Sequence, residues 1–259
     1  MEIKEKLSKE KLNELTTRAF ITSLTYYKRQ QFFPTWISLF INPLYMIRKA
    51  LFKAVQNYGK ELHGVLLDVG CGTKPYGAIL SNAQYHIGVD EENVNTINQK
   101  KYIDFYFDGK TLPFDDNYFD SAICAEYIGS SKNPEIILNE ISRVCKSGSA
   151  LLITAPFVWY ENDVIGDYHR FSADGIITLL EKTGYQIVEV QKLSNFMGVL
   201  FQMVILYVQS LFFTKNKYIN LFLNVILIAP FTIFGTAYTW LLPQDNRLYF
   251  GTAVLARKK

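Results

Sequence analysis

The sequence predicts an α/β domain built on a mostly parallel sheet, with a hydrophobic helical insertion ahead of its last strand. Three observations carry that prediction. The run Val65-Leu66-Leu67-Asp68-Val69 passes straight into Gly70-Cys71-Gly72, a buried strand feeding a tight glycine turn. Beyond Leu62 the apolar runs are short and alternate with helix-period patterns, as crossover units require. About sixty largely apolar residues separate the last two strand candidates, far more than a hairpin connection needs.

Residues 2–31 are polar and rich in Lys, Glu and Leu, the composition of a helical or partly mobile arm. From Phe32 to Ile47 the chain turns apolar and aromatic, but Pro34, Asn42 and Pro43 interrupt it, so a short apolar cover is expected rather than a membrane span. Pro43 then opens a helix through Tyr58, with Leu44, Ile47, Leu51 and Val55 on one stripe. Strand candidates follow at Val65–Val69, Tyr85–Val89, Ile103–Phe107, Phe119–Cys124, Ala150–Ala155, Gln186–Val190 and Leu248–Ala256. Helices are expected at Pro134–Lys146, where Ile137, Ile141 and Cys145 recur every fourth residue, and at Ala173–Thr183, between the N-cap Ser172 and Gly184.

These elements divide the chain into an arm and cover at 1–61, a main domain at 62–194 with 244–259, and an insertion at 195–243. The insertion holds two apolar segments, Met197–Phe213 and Leu221–Leu242, near the ~20 residues that span a bilayer. Gln202 with Gln209, and Asn220 with Asn224, mark polar faces, and Pro230 breaks the second segment, which favours helices lying in the membrane plane. A spanning hairpin ranks second, since it would carry Lys215 and Lys217 across, against the positive-inside tendency. The alternative to both is a hydrophobic cap packed on the domain. Membrane contact through residues 197–242 is therefore expected.

A chain of 259 residues with 49% hydrophobic content buries a full core, and a net charge of +3 without a run of basic residues does not point to nucleic acid. Cys71, Cys124 and Cys145 form no CxxC pair, so neither a disulfide framework nor a metal site is expected and a cytoplasmic setting is. The charged stretch from Glu2 to Arg18 does not read as a secretory signal.

Twenty residues after Gly70, the strand Tyr85–Val89 ends in Asp90, placed to accept hydrogen bonds from both hydroxyls of a ribose. The third strand ends in Asp108-Gly109, and Leu112-Pro113-Phe114 supplies an apolar wall for an adenine. The glycine series reads Gly70-Cys71-Gly72-Thr73-Lys74-Pro75, without the third glycine of the dinucleotide fingerprint, which disfavours a nicotinamide enzyme.

With Asp68–Tyr76 reading Asp-Val-Gly-Cys-Gly-x-x-Pro-Tyr, the chain resembles the type 11 group of class I S-adenosylmethionine-dependent methyltransferases. The likeness continues in family order through Phe119-Asp120, Asn133-Pro134, Glu140 with Arg143-Val144, Lys146 with Gly148, and Pro156-Phe157, and covers about Gly64 to Val190. It implies a Rossmann-like seven-stranded sheet with an antiparallel last strand and S-adenosyl-L-methionine as cofactor. By the same resemblance, cofactor contact falls to Asp68, Gly70, Cys71, Gly72, Asp90, Asp108, Gly109, Cys124, Ala125 and Glu126, with Asp68 and the loop backbone at the amino-acid end.

Methyl transfer is a displacement at an already activated sulfonium, so alignment matters more than any fixed catalytic residue. Relatives often carry Glu-His where this chain has Gly129-Ser130, and a His where it has Asn162. The segment Asp167-Tyr168-His169-Arg170-Phe171-Ser172 keeps a family pattern but places His169 where relatives have an aromatic, so His169, with Tyr168 and Arg170, is the candidate base. The alternative there is an Asp167–Arg170 pair that only orients the loop. A small-molecule or lipid-linked acceptor is expected; the rivals are a non-catalytic membrane module with a degenerate donor pocket and a nicotinamide-dependent oxidoreductase.

Overall fold

The computed structural model describes residues 26–93, 96, 100–161 and 166–259. Most of the arm expected at 2–31 lies outside them, as does Asn162. Along the chain run helices α1 (Tyr26–Phe32), α2 (Ser38–Ile41) and α3 (Tyr45–Tyr58), then strands β1 (Gly64–Val69), β2 (Ala83–Glu91), β3 (Phe105–Phe107) and β4 (Phe119–Ala125). Helix α4 (Pro134–Val144), β5 (Cys145–Pro156), α5 (Ala173–Lys182) and β6 (Tyr185–Lys192) follow. Helices α6 (Phe196–Phe212), α7 (Lys217–Leu223) and α8 (Ala229–Leu241) precede β7 (Gly251–Lys258). The described residues fall into two compact units, Val55–Gln191 with Gly251–Lys259, and 26–54 with Lys192–Phe250.

In the first unit the seven strands form one sheet of order β3-β2-β1-β4-β5-β7-β6, with β1 parallel to β2 and β4, and β7 antiparallel to β5. Buried on both faces, the central strands read as continuous apolar runs, and Leu67, Val69, Ile87, Val89, Ala122 and Ile153 belong to one core cluster. Helix α4 starts at a proline, whose missing N–H costs nothing at a first turn, and buries Ile137, Leu138, Ile141 and Val144. Ser172 caps α5 by accepting from the Gly175 N–H.

Two features depart from expectation. The β1–β2 crossover holds no helix: residues 72–82 are turns, because Lys74 sits at φ 50° and Pro75 follows it. The last strand begins at Gly251 rather than Leu248, since Tyr249 and Phe250 are buried in the second unit, where the Phe250 N–H bonds the Leu193 carbonyl at 2.9 Å.

The second unit is helical. Helices α6 and α8 form a hairpin in which Phe201 stacks on Tyr238 with ring centres 5.7 Å apart. Pro230 does not break the second apolar segment: helix runs from Lys217 to Leu241, through a π-helical turn at Asn224–Ile228 that absorbs the proline's lost hydrogen bond. Among the described residues, Tyr218–Leu241, of 24 residues and mean hydropathy 1.9, is the helix long and apolar enough to cross a membrane by length and composition. Of the residues expected on polar faces, Gln202 and Asn224 turn inward, whereas Asn220 bonds Thr214 at the exposed joint. Gln202 Nε2 donates to the Pro43 carbonyl at 2.7 Å, and Asn224 Nδ2 to that of Ile41 at 3.2 Å.

Candidate active site

At the carboxyl ends of β1 and β2 the chain packs charge against charge. Gly70 and Gly72 take φ of 69° and 49°, left-handed values open to glycine, and the N–H groups of Gly70 and Cys71 bond the Val89 carbonyl at 2.9 and 3.1 Å. The Gly72 N–H reaches the Asp90 carboxylate at 2.8 Å, and the Glu91 N–H meets its other oxygen at 2.9 Å. Despite those donors, burial pushes the Asp90 carboxyl up to about 6. Asp68 Oδ2 lies 2.7 Å from His86 Nε2, both side chains being buried.

Pro75 stands at the place of the absent third glycine, and the ammonium of Lys74 just before it is buried. Lys74 pairs with Asp104 and donates to the His86 carbonyl at 3.1 Å. Its stem crosses β2 at Gly88, where a Cβ would lie 2.3 Å from Lys74 Cε; Asp104 in turn accepts from the Gly88 N–H at 2.8 Å. Above Gly70 sits Tyr127, whose hydroxyl donates to Glu91; burial first, then Glu91, raises its phenol well above the usual range, so it stays a neutral donor. Burial likewise raises Cys71 and Cys124, leaving both as thiols. Asp108 is exposed, and its Oδ1 accepts from the N–H groups of Lys110 and Thr111 at 2.9 and 2.7 Å, capping the turn that carries Gly109.

A second cluster lies at the ends of β4 and β5. Glu126 is held at φ 61°, a conformation costly for a residue with a Cβ. Thr154 Oγ1 accepts its N–H at 2.9 Å and donates to its Oε1 at 2.8 Å. The loop after β5 folds back onto this end: the N–H groups of Tyr168 and His169 both bond the Gly129 carbonyl at 3.0 Å. A Cβ on Gly129 would lie 2.8 Å from Pro156 Cγ and 3.0 Å from the His169 carbonyl, so glycine at this position is what lets the loop close. Arg170 pairs with Asp167 and donates to the carbonyls of His169 and Tyr160 at 3.1 and 3.2 Å. The partly exposed His169 ring has Nε2 3.5 Å from the Lys132 carbonyl and lies between Tyr168 and Phe171.

Residues 67–153 match the family model of a methyltransferase domain. The chain is 27% identical over 171 residues to the O-methyltransferase rstn1 of Aspergillus nomiae, covering 55% of this chain and 75% of that one. An S-adenosylmethionine-dependent methyltransferase from Mesorhizobium loti superposes with a TM-score of 0.51 at 13% identity, over 81% of this chain and 98% of that one. Phosphoethanolamine N-methyltransferase 2 of Haemonchus contortus, solved with S-adenosyl-L-methionine, gives 0.51 at 19% identity over 85% and 55%. The fold is that of the class I methyltransferases.

The Haemonchus contortus enzyme was solved with S-adenosyl-L-methionine, and the donor set at this site fits that molecule. Asp68, Asp90 and Glu91 make the crevice acidic, and Lys74 beside them is already paired with Asp104. Such a site suits a ligand bearing a sulfonium and an ammonium, and repels a pyrophosphate. Sequence reasoning gathered Asp68, Gly70, Gly72 and Asp90 at this end but passed over His86, Lys74, Asp104, Glu91 and Tyr127. The signal for His86 was the strand register: Leu66 pairs with His86, which puts Asp68 and His86 on one face, two positions apart.

Proposed function

We propose that the chain is an S-adenosylmethionine-dependent methyltransferase whose acceptor is a small molecule or a lipid-linked molecule met at the cytoplasmic surface of a membrane. The observation that carries this reading is the acidic crevice around the Gly70–Gly72 turn, where the nearby Lys74 is already paired with Asp104. When bound, S-adenosylmethionine supplies a methyl group already activated on sulfur, so the chain's task is alignment and exclusion of water. In this reading Asp68 receives the donor's ammonium group, Asp90 the ribose hydroxyls, and the backbone at Gly109, Cys124 and Ala125 lines the adenine side.

His169 takes the proton of a hydroxyl acceptor, in a loop that Tyr168 and Arg170 hold closed on Gly129. A relative named as an O-methyltransferase supports a hydroxyl acceptor. Calorimetric titration with S-adenosylmethionine should give micromolar binding that Asp90→Ala removes, and reduced nicotinamide nucleotide should give none. Binding without turnover on any membrane or soluble extract would leave the degenerate donor module as the better account.

The membrane half rests on the outer surface of the second unit, where Tyr207, Phe212, Tyr218, Phe222, Phe234 and Trp240 are all exposed. We favour helices lying in the plane of one leaflet. One observation favours a span: Tyr218 and Trp240 stand roughly 33 Å apart along the helix at about 1.5 Å per residue, close to the ~30 Å hydrocarbon thickness that interfacial aromatics bracket. All three cysteines are buried, so Thr214→Cys offers a clean label on the exposed joint between α6 and α7. In sealed vesicles with the sheet unit outside, an impermeant maleimide labels that cysteine if the helices lie in plane and misses it if they span.

A further inference from the structure

We propose that His86 is a positioning residue for the methyl donor: it holds one oxygen of Asp68 so that the other is left for the donor's ammonium group. This rests on the reading above that Asp68 receives the amino-acid end.

The geometry asks for a reason why a histidine stands at this place. His86 lies in the interior of β2, is 3% exposed, and has apolar strand neighbours in Ile87 and Val89. Its Nδ1 is buried without a partner. A Val or Leu would pack on this strand without an orphaned ring nitrogen, which costs ~1–3 kcal/mol when buried. What the imidazole gains is a single contact, Nε2 to Asp68 Oδ2 at 2.7 Å. With Nδ1 unpaired, the Nε2–H form is the cheaper one, because a bare lone pair is easier to bury than an unpaired N–H, and this form donates to the carboxylate.

Asp68 is then half engaged. Its Oδ2 is taken by His86, while Oδ1 has no hydrogen-bond partner among the described residues, and the side chain is one-tenth exposed. Around it lie Cys71, which burial and the nearby Asp68 keep as a thiol, and Asp90. Lys74 cannot fill the open oxygen because its ammonium is committed to Asp104 and to the His86 carbonyl. The same lysine therefore braces the backbone of His86 while staying off its partner. An aspartate with one oxygen clamped and one spare is fixed in rotation and matched to a small cation, so less ordering remains to be done when the ammonium arrives.

The test compares two ligands that share the adenosine and the thioether sulfur but differ in the amino-acid end. S-adenosylhomocysteine carries that end and methylthioadenosine lacks it. By calorimetry, His86→Leu should weaken S-adenosylhomocysteine about tenfold, the cost of ordering a freed carboxylate when the ammonium arrives, and leave methylthioadenosine within about twofold. His86→Gln, which keeps a donor at similar reach, should restore most of the loss. Asp68→Asn should show the same split between the ligands, and it reads the pair independently should His86→Leu fail to fold.

If His86→Leu weakens both ligands equally, the histidine only supports the strand and the proposal falls. Unchanged affinity for S-adenosylhomocysteine overturns it too. An Asp68→Asn variant that weakens both ligands equally, or neither, removes Asp68 from the amino-acid end and takes the proposal with it. A wild-type chain that binds neither ligand sinks the donor reading itself, a different result from any of these.

Discussion

The two units of this chain bury opposite kinds of side chain. In the sheet unit ionisable groups go inside at the functional end, with Lys74 paired to Asp104 and His86 hydrogen-bonded to Asp68. In the helical unit the buried polar groups are neutral. Gln30, Ser38, Gln202 and Asn224 bond one another or backbone carbonyls, while Trp36 and Trp240 are 71% and 83% exposed. Exposed tryptophans among many other exposed apolar side chains are the composition of a contact surface. The medium decides which groups need partners. In water only buried groups must find them, whereas in lipid every polar group must; the helical unit pairs Gln202 Nε2 and Asn224 Nδ2 but leaves Gln202 Oε1 and Asn224 Oδ1 buried without a partner.

The comparison can be broken first on its charged side. Breaking a buried ion pair leaves a charge unpaired, so Lys74→Met should destabilise the chain by about 3–5 kcal/mol in chemical denaturation, and adding Asp104→Asn should recover part of it. Full stability in the single variant would mean that Asp104 is solvated or protonated, and the paired interior would be wrong.

Next in size, Asp90→Ala should weaken S-adenosylhomocysteine binding about a hundredfold, as two charged hydrogen bonds are lost. Because burial lifts Asp90 to about 6, the ionised form that accepts the ribose hydroxyls disappears as pH falls through that value. Affinity should therefore drop below about pH 6, and the drop should be missing in Asp90→Asn. Stability responds with the opposite sign. A carboxyl raised in the folded chain favours the protonated fold, so this group's contribution to stability grows as pH falls through about 6 and is absent above it.

How much of this was legible in the sequence follows the same division. The strand ends were, because a parallel strand entering a glycine turn and a carboxylate twenty residues on are local patterns with strong sequence signals. Several motifs that carried the family likeness prove to be scaffold. The Leu112 N–H bonds Glu140 at 2.8 Å, and Arg143 reaches the carbonyls of Phe114 and Leu112 at 2.9 and 3.0 Å. Asp120 accepts the Val65 N–H at 2.8 Å and so ties β4 to the start of β1.

What sequence reasoning missed were contacts between residues far apart in the chain. Lys74 was given no role, because nothing local reveals that its stem passes over Gly88 to Asp104. Gly129 was read as a lost family residue, and the structure shows the loop backbone seated against it. In the insertion, Gln202 and Asn224 were taken for polar faces because helical spacing gives a direction but not a neighbour. Their partners, Pro43 and Ile41, lie more than 150 positions away.

A smaller effect sharpens the contrast between the two ends of the site. Gly129→Ala places a Cβ against Pro156 and the His169 carbonyl, so the loop that carries Tyr168, His169 and Arg170 must shift. Turnover should fall about tenfold, a modest share of what a misplaced reacting group costs, while the affinity for S-adenosylhomocysteine holds. Loss of both together would show that the two ends do not act separately.

The smallest effect tests the outer surface of the helical unit, and it is the one that reaches the membrane reading most directly. Trp240 and Tyr218 are 83% and 71% exposed on the helical unit, so changing them should leave cofactor binding intact. If they sit at a lipid boundary, removing an aromatic ring forfeits ~1–2 kcal/mol of transfer from water. Trp240→Ser and Tyr218→Ser should then each reduce co-sedimentation with phospholipid vesicles several-fold, and the double variant more than either. Undiminished vesicle binding would move the contact elsewhere on the unit. A chain that never sediments with vesicles would assign the exposed aromatic surface to a protein partner instead.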